Sequence, residues 1–99
     1  MLTLDIDIDA REEIQHAADY YDRQSPGLGT RFEEGLLRTR DRILSNPLGY
    51  AQEDDGFRYG MLDIFPDSLI YFVNDLRILV GALAHHKQRP GYWRHRIRP

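Results

Sequence analysis

Cysteine is absent from the 99-residue chain. That excludes a disulfide scaffold, a thiolate zinc site and a cysteine nucleophile, and it suits a reducing compartment. Long apolar runs are missing too, since nothing approaches the ~20 residues that a membrane span needs. The opening Met1-Leu2-Thr3-Leu4-Asp5 has neither a basic start nor an extended apolar stretch. No secretory signal or membrane contact is therefore expected, and the cytoplasm is the expected location. No Gly-rich loop joins a strand to a helix; Gly27-Leu28-Gly29 sits between two helical stretches and reads as a turn. No internal repeat and no low-complexity tract is evident.

The chain does have enough apolar material for a core. It is 41% hydrophobic and 11% aromatic, which argues against disorder and fits a single domain over residues 1–99. The net charge of −3 hides an asymmetry. Residues 1–75 hold 7 Lys+Arg against all 16 acids, a balance of −9. Residues 76–99 hold 6 Lys+Arg and no acid, a balance of +6. A basic tail on an acidic body implies either a local anionic partner or contact with the body's own acids. A purely electrostatic nucleic-acid binder would be more basic overall.

Hydrophobic periodicity gives the elements. Leu2, Leu4, Ile6 and Ile8 alternate with polar residues and predict a half-buried strand, with Asp5 and Asp7 on its solvent face. Asp9 to Glu12 resembles a capping box. Ala10, Ile14, Ala17, Ala18 and Tyr21 then recur at helical spacing to about Arg23. Ser25-Pro26-Gly27 ends that helix. A second helix starts near Leu28-Gly29. Its stripe is Leu28, Phe32, Leu36, Ile43 and Leu44, with Leu37 beside it, and Asn46-Pro47 stops it. Glu33 and Glu34 lie early in it and three arginines late, as the helix dipole favours. So short a break makes the two helices an antiparallel hairpin. Residues 47–56 form a polar loop whose Glu53-Asp54-Asp55 run reads as solvated.

Three strands follow: Phe57 to Ile64, Leu69 to Val73, and Ile78 to Ala84. Phe65-Pro66-Asp67 reads as a turn between the first two, and Asn74-Asp75 as a tight hairpin turn using left-handed backbone. A short C-terminal helix can begin at Pro90. The order β-α-α-β-β-β predicts an α+β domain, a helical hairpin packed on a largely antiparallel sheet.

That order carries a resemblance. Gly27-Leu28-Gly29 and Phe32 open helix two, Asn46-Pro47 closes it, and Phe65-Pro66 precedes a strand. His85 is then followed by Pro90 and Tyr92-Trp93. Over nearly the whole chain this resembles the RelE/ParE toxin superfamily, and within it the ParE-like branch. The resemblance implies the toxin of a type II toxin–antitoxin module of the plasmid-stabilisation kind. Such a toxin forms a hetero-oligomer with a cognate antitoxin that silences it. It also implies a protein target such as DNA gyrase. The RelE branch instead implies a ribosome-dependent mRNA endoribonuclease, and a non-toxic binding module of the same fold is a third reading. No cofactor is implied. The chain departs from the family at Asp67, where an aromatic often follows Phe-Pro. It departs again at Ser68, the nearest position to an arginine of RelE-type ribonucleases, and at Gln88, where ParE-like members often have arginine.

RNA cleavage needs a base for the 2′-hydroxyl, holders for the phosphate and an acid for the leaving oxygen. The candidates are His85 or His86 as base, Lys87, Arg89 and Arg58 as holders, and Tyr92 or His95 as acid. A histidine at a strand end more often serves the backbone. The only nitrogen ligands for a metal are His16, His85, His86 and His95, and adjacent histidines in a strand point to opposite faces. No metal site is expected. Protein recognition has better physical support. Arg58, Lys87, Arg89, Tyr92, Trp93, Arg94 and Arg96 combine the aromatic and arginine side chains that dominate interface energies. Trp93 is expected in the core and the arginines exposed. The first helix, with Tyr20 and Tyr21, is another possible contact surface, although an apolar stripe there reads first as core.

Overall fold

The computed structural model describes residues 2–75 and 77–99. The observed order is β1 (Thr3–Ile6), α1 (Ile8–Gln24), α2 (Leu28–Ser45), β2 (Arg58–Met61), β3 (Asp67–Val73) and β4 (Arg77–His85). This is the expected α+β arrangement. The four strands make one sheet in the order β1-β4-β3-β2. The pairs β2–β3 and β3–β4 are antiparallel, and β1 lies parallel to β4.

Several boundaries move for identifiable reasons. Asp7, not Asp9, caps α1: its carboxylate accepts the Asp9 N–H at 3.0 Å. Asp7 N–H also donates to Val80 O at 2.8 Å, so the chain leaves the sheet there and turns directly into the helix. Ile8 becomes the first helical residue and is 70% exposed, although strict alternation would bury it. At the other end of α1, Asp22 Oδ1 accepts both Gly27 N–H (3.0 Å) and Gly29 N–H (3.2 Å), which satisfies open donors at the start of α2. Along α2, Phe32 and Ile43 are fully buried and Leu28 and Leu36 partly so, but Leu37 and Leu44 face solvent. Asp67 is not a turn residue; it opens β3 and is buried. The β3–β4 connection does not use left-handed Asn74 or Asp75, since no described non-glycine residue has positive φ. Instead Asn74 Oδ1 accepts Arg77 N–H at 2.9 Å, and Asn74 N–H donates to Arg77 O at 3.0 Å.

The sheet is covered on both sides. Side chains alternate across a strand, so Leu69 and Tyr71 of β3 and Ile78 and Val80 of β4 meet the helical hairpin. Ile70 and Phe72 face the other way, with Ala82, Ala84 and Phe57, and meet Trp93 of the tail. Between these sets β4 carries a bulge, where Ile70 opposes Ala82 and Tyr71 opposes Val80. The extra residue is Gly81. A Cβ there would overlap the Ile97 side chain, so glycine lets Ile97 of the tail lie against the strand without shifting.

The tail is not a helix. It makes successive four-residue turns, Arg94 N–H to Gly91 O (3.1 Å) and Arg96 N–H to Trp93 O (2.9 Å). Gly91 has φ +79°, which breaks a right-handed helix in its first turn.

Candidate functional site at the β3–β4 end of the sheet

Where β3 begins and β4 ends, Asp67 and His85 stand opposite each other in the antiparallel ladder. Pleating then sorts their neighbours onto two faces. On the helix side Asp67 accepts the Tyr21 hydroxyl of α1 at 2.5 Å. Burial pushes the Asp67 carboxyl above the usual carboxylate range, against the opposing pull of the Tyr21 hydrogen bond and the nearby His85 and His86. The Tyr21 phenol is pushed up too, by burial first and the Asp67 hydrogen bond second. On the tail side the buried Ser68 hydroxyl lies 3.2 Å from His86 Nε2. The two adjacent histidines therefore serve different faces.

His85 is held by its surroundings. Its backbone N–H donates to Gln88 Oε1 at 2.6 Å, and its Nδ1 accepts the Lys87 N–H at 3.0 Å. With Nδ1 acting as acceptor, the neutral ring carries its proton on Nε2. Lys87 and Arg89 follow in an exposed turn. Of the sequence-derived candidates, His85, Lys87 and Arg89 thus stay near one another.

The others are drawn elsewhere. Arg58, opposite Tyr71, donates to Tyr50 O (2.5 Å) and Leu48 O (3.3 Å) and ties down the 47–50 loop. Tyr92 donates to Glu13 Oε2 at 2.6 Å and to Leu83 O at 3.2 Å. Trp93 is 3% exposed and packs edge-on against Phe57, Tyr59 and Tyr92, in the core as expected. Arg94 pairs with Asp55 at 3.2 Å and remains exposed; Asp55 also accepts Phe57 N–H and the Tyr59 hydroxyl, so this member of the acidic loop run is structural.

Arg96 corrects the expectation of exposed arginines. Its side chain is 12% exposed and pairs with Glu13 at 2.8 Å and Asp9 at 3.7 Å. Its guanidinium also donates to Gly81 O at 3.1 Å and lies over the Tyr92 ring. The physical reason is the end of β1. That strand pairs with β4 only as far as Val80, so the rest of β4 has an open edge. Arg96 and Tyr92 cap its carbonyls, while Glu13 accepts Leu83 N–H at 3.2 Å. The basic tail is thus partly neutralised by the acidic body.

Glu13, His16, Tyr21 and Asp67 are the residues sequence reasoning missed as a group. Glu13 is one of several acids on α1, and nothing in its spacing marks it as the hub of the tail contact. Asp67 had one signal: a carboxylate standing where the resembled family often has an aromatic.

No protein-family model matches the chain, and no curated protein matches it. Solved structures do. A chain of the chromosomal ParDE TA system from P. aeruginosa superposes with a TM-score of 0.75 at 16% identity. The match covers 86% of this chain and 96% of that one. At that identity the likeness is one of fold. No helix among the described residues is long and apolar enough to cross a membrane.

Proposed function

We propose that the chain is the toxin of a type II toxin–antitoxin module, silenced by a bound antitoxin and acting through a protein target, DNA gyrase being the first candidate. The observation that carries this reading is the fold match to a chain of a ParDE TA system across nearly the full length of both chains. The ordered motifs from Gly27 to Trp93 support it independently. Contacts to target or antitoxin fall to the exposed cations, Lys87 and Arg89 after β4 and Arg94 and Arg98 in the tail. Trp93, Tyr92 and Arg96 act behind them by holding the tail in place.

An endoribonuclease of the RelE branch is the less favoured reading. Of its candidate parts His85, His86, Lys87 and Arg89 lie together at the end of β4, while Arg58 ties down the 47–50 loop and the Tyr92 hydroxyl is committed to Glu13 and Leu83 O. Expression of the chain alone should arrest growth, and co-expression of an acidic neighbouring open reading frame should relieve the arrest. Purified protein should stall gyrase supercoiling and leave translated mRNA intact. Harmless overexpression would remove the toxin reading, and cut mRNA with unaffected supercoiling would favour the ribonuclease.

A further inference from the structure

A cleft of about 430 Å³ opens between α1 and the end of β4. His16, Ala17 and Tyr20 line it from the helix, and Leu83 and His85 from the strand. Asp67 lines it too and is only 3% exposed. A carboxylate this buried normally lies against a cation, because it has lost its water. Among the described residues Asp67 forms no ion pair. Among the described residues its one side-chain hydrogen bond goes from Tyr21 to Oδ2, and none reaches Oδ1. The guanidinium of Arg96, which binds the cleft-lining Glu13, is committed to Glu13 and Asp9.

The rim adds a second kind of recognition. Tyr20 is 52% exposed and stands edge-to-face on Tyr21 with ring centroids 5.5 Å apart, so its ring borders the cleft with a free surface. Glu13 also lines the cleft, but it is already paired with Arg96, and the exposed Lys87 and Arg89 follow His85, so the unmatched acidic group of the cleft is Asp67. An aromatic rim beside a buried carboxylate without a cation selects a flat, weakly hydrated, multiply donating cation. A guanidinium can stack and donate at once, whereas an ammonium is a strongly hydrated point charge.

We propose that this cleft receives the guanidinium of an arginine presented by a protein partner, stacked on Tyr20 and donating to Asp67 Oδ1. Identification of that partner as the antitoxin rests on the toxin–antitoxin reading above; the chemistry of the cleft does not. The burial that holds the Asp67 carboxyl high supplies a second readout, because an arriving cation lowers it.

The test titrates the intact chain with N-acetyl-arginine amide and, in parallel, with the neutral isostere N-acetyl-citrulline amide. Nuclear magnetic resonance follows the His16, Ala17 and His85 signals and the Asp67 side-chain carboxyl. The expected result is a saturable shift with the arginine probe alone, accompanied by a fall in the Asp67 titration midpoint. Asp67→Asn, which keeps the shape and the acceptor for Tyr21, should weaken binding by about tenfold, the order expected for a charge-assisted hydrogen bond. Tyr20→Ala, at an exposed position, should weaken it by about threefold. Equal shifts with citrulline, no saturation, or full affinity in folded Tyr20→Ala and Asp67→Asn would each overturn the assignment. Arginine-specific binding supports the cleft whatever the growth phenotype. Its absence overturns the cleft even where expression arrests growth.

Discussion

On the helix side of the sheet, Tyr21, Phe32 and Phe65 pack ring on ring at 4.8–5.4 Å, inside a core that two regular helices supply. On the opposite side a non-helical tail does the same task with one indole, a few aromatics around it and a polar latch to α1. The first face is closed by periodic apolar residues close in sequence. The second is closed by contacts that span most of the chain, such as Glu13 to Arg96. A basic tail that looks from its composition like a free arm is, over Tyr92, Trp93 and Arg96, part of the fold. Its exposed remainder is what is left for partners.

The sharpest way to break this comparison is to remove one plug from each face. Phe32→Ala and Trp93→Ala should each cost about 3–5 kcal/mol, as large aromatic deletions from packed cores do. Urea unfolding would read both. A Trp93→Ala loss well under 1 kcal/mol, beside a full loss for Phe32→Ala, would show that the tail is not integral.

The latch comes next. Glu13→Ala strands the Arg96 guanidinium, the Tyr92 hydroxyl and Leu83 N–H. Removing one partner of so enclosed a pair costs about 3 kcal/mol. The loss should loosen the tail before the helices, so hydrogen exchange should rise at Trp93 and Ile97 while Phe32 stays protected. Uniform loosening of both faces would argue against a separate tail unit.

The smallest effect, and the one that sharpens the contrast, is in the pH profile. Desolvation raises the folded-state Asp67 carboxyl above its unfolded value, so the folded chain binds that proton more tightly. For this group stability is fully present below the ordinary aspartate range and declines as pH rises through the raised folded value. Asp67→Asn should therefore stabilise the protein modestly at neutral pH and flatten that part of the curve. Thermal melts from pH 4 to 8 would check it. An unchanged slope would mean that another group sets the profile.

The order of elements was legible because each is written in local periodicity. Alternation marked β1, helical spacing marked α1 and α2, and Pro47 and Gly27 punctuated them. The helix expected at Pro90 failed because Gly91 adopts positive φ there, which no spacing reveals. The start of α1 shifted from Asp9 to Asp7 because both aspartates are competent caps, and the ladder bond from Asp7 N–H to Val80 O chose between them. Of the candidate site, His85, Lys87 and Arg89 were legible as a cluster because they are neighbours in sequence. Asp67, Tyr21, His16 and Glu13 were not, since the sheet and helix bring them together from distant positions.

By itself, then, the sequence determined the succession of strands and helices and the acidic body with its basic end, because these depend on residue type and local spacing. Only the tertiary structure decided that β1 runs parallel to β4 and stops short of its end. The polar groups that this left open on β4 had to be satisfied from elsewhere. That requirement brought Glu13, Tyr92 and Arg96 together and fixed which cations of the tail remain free.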